Sequence, residues 1–257
     1  MRITGLQTTT LLDYPGHVAA TIFLGGCNFR CPFCHNMDIV LKESYTAGQD
    51  SIIQDENASD SADKTYSEEE IISFLNKRGG ILDGVCITGG EPTLYRDLPD
   101  FIRKIKQTGM LVKLDTNGTN PDMLKYLFDN HLVDYVAMDL KSSIERYEAV
   151  AGLDKVFRDE TAVKAVTDKI FKSIDIIKSW APDYEFRTTV MAEYHDKEEM
   201  KKIGELIKGC RKYFMQAFND SDFVPDHSLS APDKDTLNEF KDIVKDYADF
   251  VEIRGVD

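Results

Sequence analysis

Short runs of apolar, β-forming residues recur along this chain at a spacing of about thirty residues, which is typical of successive βα units. An amphipathic stretch separates most of these runs from the next. The strands predicted from them cover residues 17–24, 84–88, 110–115, 135–139, 184–190, 212–216 and 250–254. The predicted helices cover residues 68–78, 98–108, 121–130, 161–180, 197–208 and 233–247.

Helix start and stop signals fall where this scheme needs them. Ser67 and Glu70 predict a capping box. Asn120 before Pro121 predicts another helix start, and Gly109 predicts a helix end. Strict strand–helix alternation predicts a parallel sheet, either doubly wound or curled into a complete or partial barrel. The 257 residues suit a single domain of this α/β class.

The composition is that of an ordinary globular protein, with 42% hydrophobic and 30% charged residues. No apolar run approaches the roughly 18 residues that cross a membrane. The N-terminus lacks the apolar centre of a signal peptide, so we expect a cytoplasmic protein that binds no membrane. The formal net charge of −14 would repel a polyphosphate backbone, so nucleic acids are not expected partners.

The five cysteines are unevenly distributed, which favours metal or catalytic use over disulfides in a chain without an export signal. Cys27, Cys31 and Cys34 have the spacing C-x3-C-x2-C and directly follow a predicted strand. Cys86 and Cys210 stand alone in apolar or helical contexts and are predicted to be buried packing residues.

Three thiolates this close together fit two kinds of metal site. They suit a [4Fe–4S] cluster, because soft anionic sulfur stabilises iron and three ligands leave one iron open to bind a substrate. They also suit tetrahedral zinc, with His35 or a distant residue as the fourth ligand. The spacing alone does not decide between an iron–sulfur cluster and a zinc site.

The spacing C-x3-C-x2-C with Phe33 just before the last cysteine resembles the signature of the radical S-adenosylmethionine (radical SAM) superfamily. The resemblance implies that Cys27, Cys31 and Cys34 hold one [4Fe–4S] cluster and are catalytic, and that Phe33 lies at the cofactor. In that family the reduced cluster cleaves S-adenosylmethionine to methionine and a 5′-deoxyadenosyl radical, which abstracts a hydrogen atom.

A complete eight-stranded barrel needs about 250 residues. The first 16 residues are predicted to precede the first strand and residues 43–66 to form a loop, so six or seven βα units are expected. The predicted fold is therefore a partial (β/α)6-type barrel over residues 1–257.

The segment ITGGEP at residues 87–92 resembles the GGE motif of the same family. The resemblance implies that Gly89, Gly90 and Glu91 bind the cofactor, with the Glu91 carboxylate on the methionyl amino group. The alternative is a plain strand-to-helix turn, because a short glycine motif is a weak signal.

Two further segments, DTNG at residues 115–118 and AMDLK at residues 137–141, resemble the activating enzymes of glycyl radical proteins. Cofactor contacts are implied for Asp115, Thr116, Asn117, Asp139 and Lys141. A monovalent cation is also implied, with ligands from Asp115, Thr116, Asp139 and the carbonyl of Ala137. The alternative is an Asx-type turn and a strand end with solvated charges.

Arg187 and Gln216 end two later predicted strands. The resemblance implies contacts to the ribose or adenine of the cofactor. A lone Arg or Gln at a strand end is as often a structural hydrogen-bonding group.

The N-terminal segment LLDYPGHVAATIFLGGCNFRCPFCHN resembles the anaerobic ribonucleoside-triphosphate reductase activating proteins and their pyruvate formate-lyase activating relatives. The resemblance implies abstraction of a glycine α-hydrogen from a glycyl radical enzyme, here anaerobic ribonucleotide reductase, with a low-potential electron donor such as flavodoxin or ferredoxin. Pyruvate formate-lyase activators usually carry D-G-P-G where this chain has Asp13-Tyr14-Pro15-Gly16, which favours the reductase-activator branch.

Residues 43–66 are polar, acidic and rich in Ser, Asp and Gly, which predicts a mobile surface loop. They occupy the place where other glycyl radical activators insert further cysteine clusters, but contain no cysteine, so no second cluster is expected. Three other functions remain open: a radical SAM enzyme acting on a small molecule, such as a 7-carboxy-7-deazaguanine synthase relative, one acting on a peptide, or a non-catalytic zinc or iron–sulfur module.

Overall fold

The computed structural model describes residues 1–41, 44–46, 51–53, 65–157 and 159–256. Its strands follow one another along the chain as β1 (Ile3–Thr10), β2 (Ala19–Leu24), β3 (Ser44–Thr46), β4 (Ser51–Ile53), β5 (Gly84–Gly89), β6 (Leu111–Thr116), β7 (Tyr135–Asp139), β8 (Tyr184–Val190), β9 (Cys210–Ala217) and β10 (Ala248–Arg254).

Across the described ranges, eight strands form one sheet in the order β1-β2-β5-β6-β7-β8-β9-β10. Strands β2 to β10 of this sheet run parallel and are joined by six crossovers, while β1 pairs with β2 in the antiparallel direction. The end strands β1 and β10 do not pair with each other, so the sheet forms an open barrel. The predicted partial (β/α)6-type barrel is confirmed.

The helices are α1 (Met37–Val40), α2 (Glu68–Lys77), α3 (Leu98–Gln107), α4 (Pro121–Asp129), α5 (Tyr147–Ala151), α6 (Glu160–Trp180), α7 (Lys197–Ile207) and α8 (Lys234–Val244). The predicted capping box at the start of α2 is present, and the Asn120 side chain accepts a hydrogen bond from the backbone N–H of Met123. Gly109 has a φ of 82°, as a residue that ends a helix requires. The predicted local signals are therefore correct.

Strand β1 was not expected, and the prediction that the first 16 residues precede the first strand is wrong. Gln7, Thr8 and Thr9 are exposed, because an edge strand has only one neighbour. Such a strand lacks the apolar run of a central strand, and no helix follows it. The short helices α1 and α5 were also missed, because four or five residues give no helical periodicity.

Most of the acidic segment 43–66 lies outside the described residues, so its mobility stays a prediction. Within it, β3 and β4 form a two-stranded antiparallel sheet. None of the helices in the described ranges is long and apolar enough to cross a membrane.

The helices pack their apolar sides on the outer face of the sheet, and Ile102, Ile170 and Ile203 are fully buried there. The inner face carries polar side chains instead. Lys113 and Glu185 are each about 1% exposed inside the barrel. Buried charged groups are expensive unless they are paired, so the interior must supply partners for them.

The end of β5 lies unusually close to the loop that follows β2. The backbone N–H of Gly90 donates to the Leu24 carbonyl at 2.8 Å, and that of Glu91 donates to the Gly26 carbonyl at 2.9 Å. A Cβ atom at position 90 would lie only 1.7 Å from the Gly26 carbonyl oxygen. Glycine is therefore required at this position for steric reasons.

We expect Gly90→Ala to lower the free energy of unfolding by more than about 1 kcal/mol, because two backbones must separate to admit the methyl group. Gly79→Ala is the matched control, since its added Cβ would meet only the Asn76 carbonyl oxygen, at 3.6 Å. Urea denaturation of the metal-free proteins measures both changes. Equal stability of the two variants would contradict the close approach.

Candidate active site

A cavity of about 320 Å³ opens at the carboxyl ends of the parallel strands. Nearly all the site residues expected from the sequence line it: Cys27, Cys31, Phe33, Cys34, Gly89, Gly90, Asp115, Thr116, Asn117, Asp139, Lys141, Arg187 and Gln216. These residues come from the loop after β2 and from the ends of five further strands, β5 to β9. The parallel arrangement brings them together because every strand delivers its last residue to the same end of the barrel.

Arg30, which lies within the cysteine loop, and helix α5 hold this loop in place through hydrogen bonds. The Arg30 guanidinium donates to the carbonyls of Cys27 at 2.8 Å and Phe29 at 2.7 Å. The Arg30 backbone N–H donates to the Ala151 carbonyl at 3.0 Å. Gly152 follows with a φ of 61°, and a Cβ there would lie 2.2 Å from the Arg30 carbonyl oxygen. The loop conformation is thus determined by contacts outside the cavity.

The three thiols of this loop are largely buried but face the cavity. Burial raises the pKa of Cys27 and of Cys34, and it raises the pKa of Cys31 to about 12. The thiols are therefore neutral until a metal displaces their protons.

The donor set fits an iron–sulfur cluster, in which each of the three thiolates can bind a different iron atom. In the described part of the chain, no three His, Cys, Asp or Glu side chains converge as ligands of a single metal ion. His35, the candidate fourth zinc ligand, instead places Nε2 2.6 Å from the Asn219 carbonyl oxygen and stacks on Phe218.

Glu91 is fully buried and is absent from the cavity lining. Its Oε1 accepts hydrogen bonds from Thr93 N at 3.0 Å, Thr93 Oγ1 at 2.5 Å and Thr116 Oγ1 at 2.8 Å. Its Oε2 accepts from Asn117 N at 2.6 Å. The carboxylate expected at the methionyl amino group here joins the loops after β5 and β6.

Charged side chains of alternating sign form a chain across the strand ends. Arg187 Nε donates to Asp139 Oδ1 at 2.8 Å, and both Nη atoms of Arg187 lie 3.2 Å from Asp115 Oδ2. Lys141 Nζ donates to Asp139 Oδ2 at 3.2 Å, and Lys113 donates to Asp115 from below. The Arg187 guanidinium thus lies between the two carboxylates that the sequence suggested as cation ligands.

The arginine and the lysines keep both carboxylates ionised. Burial alone would raise the pKa of Asp139, but the charges of Arg187 and Lys141 outweigh it and hold this pKa below its ordinary value. The pKa of Asp115 is lowered in the same way, with burial opposed by Arg187 and Lys113.

Several residues that line the cavity were not predicted as site residues: Asp13, Phe29, Asn36, Val40, Thr88 and Thr189. Thr88 and Thr189 lie at the ends of β5 and β8, so their place next to predicted strand ends could have indicated them. Asp13 accepts a hydrogen bond from Thr21 Oγ1 at 2.5 Å and lies before β2. It begins the segment Asp13-Tyr14-Pro15-Gly16, which was compared with D-G-P-G but was not predicted to line the site. Ala137, the remaining residue of the implied cation site, is buried and absent from the lining.

A model of the radical SAM superfamily matches residues 21–207, which include every strand from β5 to β8 and the whole cysteine loop. The chain belongs to the radical SAM superfamily. Membership implies an enzyme with a [4Fe–4S] cluster and S-adenosylmethionine, in agreement with what the family resemblance implied.

Relatives with similar sequences include activating enzymes. A candidate glycyl-radical enzyme activating enzyme of Methanocaldococcus jannaschii is 33% identical over 257 residues, covering 99% of this chain and 96% of that protein. A pyruvate formate-lyase-activating enzyme of Clostridium pasteurianum is 25% identical, covering 92% of this chain and 87% of that protein. A candidate GTP 3′,8-cyclase of Saccharolobus islandicus is 30% identical over 144 residues, covering 55% of this chain and 41% of that protein.

Crystal structures of other proteins show the same fold. Streptococcus suis SuiB has a TM-score of 0.61 at 15% identity, covering 91% of this chain and 48% of SuiB. Escherichia coli QueE has a TM-score of 0.52 at 14% identity, covering 99% of this chain and 94% of QueE. At these identities the likeness concerns the fold alone.

Proposed function

We propose that this radical SAM enzyme abstracts the α-hydrogen of a glycine in a partner glycyl radical enzyme, with anaerobic ribonucleotide reductase as the partner. The observation that carries the proposal is a single cavity, in an open barrel, that is lined both by three thiols and by charged side chains at the strand ends. The activating enzyme of M. jannaschii supports it, because the similarity extends over almost the full length of both chains.

In this proposal Cys27, Cys31 and Cys34 hold the [4Fe–4S] cluster. When bound, the cluster supplies one electron and S-adenosylmethionine supplies the group that removes a hydrogen atom. Lys141 receives the carboxylate of the cofactor, since it ends the charged chain and lies 5.6 Å from the ring centre of Phe33. Asp139 holds Lys141 in place and is itself held by Arg187. The exposed Gln216 contacts the nucleoside end in this proposal.

The open side of the barrel suits a protein substrate. A reactive radical must be shielded from water. An enzyme that acts on a small molecule provides this shielding with its own residues. Here β1 and β10 leave the barrel open in the described structure, so a glycine loop of the partner can enter and displace water itself. The physiological electron donor in this proposal is a low-potential protein such as flavodoxin or ferredoxin.

The GTP 3′,8-cyclase similarity favours a second candidate, a radical SAM enzyme that acts on a small molecule. The S. islandicus protein matches about half of this chain and less than half of its own length. A candidate GTP 3′,8-cyclase of Thermoplasma volcanium matches 90% of this chain and 68% of its own length, at 25% identity. Both similarities are weaker than the 33% identity over almost the full length of both chains found for the candidate activating enzyme. We therefore favour the activating enzyme.

A monovalent cation is left out of the proposal, because the residues suggested for it do not fit one. Asp115 and Asp139 are already neutralised by Arg187, whose guanidinium lies within 3.2 Å of both. Lys113 and Lys141 add two further positive charges to the same carboxylates. A metal ion would have to displace Arg187.

We expect each of Cys27→Ser, Cys31→Ser and Cys34→Ser to abolish iron binding and cleavage of S-adenosylmethionine, because a cubane needs all three thiolates. Cys86→Ser is the control, since Cys86 is buried beside Lys113, whose Nζ lies 3.8 Å from its Sγ. Iron content after anaerobic reconstitution and the yield of 5′-deoxyadenosine measure the effect. Loss of iron from Cys86→Ser with retention in Cys31→Ser would show that the ligands are assigned wrongly.

With reductant alone, we expect slow cleavage of S-adenosylmethionine, and faster cleavage once anaerobic ribonucleotide reductase is added. Electron paramagnetic resonance should then detect a doublet glycyl radical on the reductase. A reductase with alanine in place of its radical glycine is the control and should give no doublet. Cleavage coupled to GTP or another small metabolite, without any protein radical, would favour the second candidate.

Replacing potassium by choline should leave the affinity for S-adenosylmethionine within about twofold, because Arg187 already supplies the positive charge. Calorimetric titration of the reconstituted protein in the two salts measures this. In Arg187→Met we expect potassium to improve binding, since two carboxylates then lose their partner. A loss of roughly tenfold or more for the unmodified protein in choline would reinstate the cation site.

A further inference from the structure

The side chain of Asn117 points to the cluster side of the cavity. Its Nδ2 lies 3.7 Å from Cys27 Sγ and 2.9 Å from Asn28 Oδ1, and all three residues are buried. We propose that Asn117 donates an N–H···S hydrogen bond to the Cys27 thiolate and thereby raises the reduction potential of the cluster. The inference rests on the assignment of Cys27 as a cluster ligand in the proposed function.

The orientation of the Asn117 amide follows from its other partners. The backbone N–H of Thr119 donates to Asn117 Oδ1 at 3.0 Å, and a backbone N–H cannot accept. The hydroxyl of Thr119 donates to the same oxygen at 2.7 Å. The oxygen of the amide therefore faces Thr119, and its NH₂ group must face Cys27 and Asn28.

Asn28 links Asn117 to Thr119 and completes this network of hydrogen bonds. Its Nδ2 donates to Thr119 Oγ1 at 2.9 Å, while its Oδ1 accepts from Asn117. One amide proton of Asn117 is thus used by Asn28, and the other is directed at the Cys27 sulfur. In this arrangement neither side-chain proton of Asn117 is left for S-adenosylmethionine, so a hydrogen bond from this residue to the cofactor would have to involve its backbone carbonyl.

The backbone of Asn117 is held as firmly as its side chain. Its N–H donates to the Glu91 carboxylate at 2.6 Å, within the buried junction that joins the loops after β5 and β6. A donor held in this way needs no rearrangement when the charge on the cluster changes. Asn117 is therefore a positioning residue that acts through Cys27.

The direction of the effect follows from the charge on the sulfur. Reduction adds an electron to the cluster and makes its thiolates better acceptors, so an N–H donor stabilises the reduced form more than the oxidised form. The low polarity of a buried site strengthens this difference. Within the described residues, Cys27 Sγ has a second donor in the backbone N–H of Phe29 at 3.4 Å.

The test compares the midpoint potential of reconstituted Asn117→Leu with that of the unmodified holoprotein by spectroelectrochemical titration. Leucine has a similar volume and no N–H donor. We expect full iron content and a lower potential, with roughly a tenfold change in the ratio of oxidised to reduced cluster, which is about 59 mV for one electron. The electron paramagnetic resonance spectrum of the reduced cluster should shift as well.

Asn120→Leu is the matched control. Asn120 lies in the same loop and makes comparable hydrogen bonds, to Thr93 O at 2.7 Å and from Met123 N at 3.1 Å, but contacts no cysteine. The cluster of Asn120→Leu should have the same midpoint potential as that of the unmodified protein. Equal shifts of the midpoint potential in the two variants would mean that any disturbance of this loop changes the potential, and this would overturn the inference.

If leucine at position 117 prevents cluster assembly, Asn117→Asp provides the second variant. Aspartate keeps the oxygen that accepts from Thr119, lacks the N–H donor and adds a negative charge, so the potential should fall further. An unchanged or raised potential in any iron-replete Asn117 variant overturns the inference. Retention of the cluster in Cys27→Ser would instead contradict the proposed function.

Discussion

The geometry of the site depends on the buried carboxylate of Glu91. Four hydrogen bonds from Thr93, Thr116 and Asn117 converge on its two oxygens, and its own N–H binds the Gly26 carbonyl before the cysteine loop. A hydrogen bond to a charged group contributes about 1.5–3 kcal/mol, and loss of this acceptor would leave several buried donors unsatisfied. Three loops from separate strands are thereby held as one unit around the cavity.

The charged groups of the barrel interior form a second constraint. Asp115 and Asp139 are partly buried, and the cost of desolvating their carboxylates is offset by Arg187, which lies between them, and by a lysine beside each one. The same contacts hold Lys141 at the cavity that the thiols line. Its ammonium group is therefore fixed in position before any ligand binds, and little reorganisation is needed when one arrives.

The topology of the sheet explains how the same site can be both enclosed and accessible. The parallel strands bring polar residues together at one end of the barrel, and the helices packed on the apolar outer face hold the strands in place. The antiparallel strand β1 ends the sheet at one edge and β10 ends it at the other. A barrel built in this way encloses the thiols among its loops and strand ends and stays open between β1 and β10.

The amino-acid sequence by itself determined the parallel βα order, the helix caps, the cysteine spacing and the strand ends that carry Asp139, Arg187 and Gln216. These features depend on periodicity and on residues close together in the chain, so they can be read locally. Only the tertiary structure decided that Glu91 points away from the cavity, that Arg187 lies between two carboxylates, and that Asn117 reaches Cys27 from 90 residues away. These contacts depend on which strand ends meet and on the distances between them, and no local pattern encodes those distances.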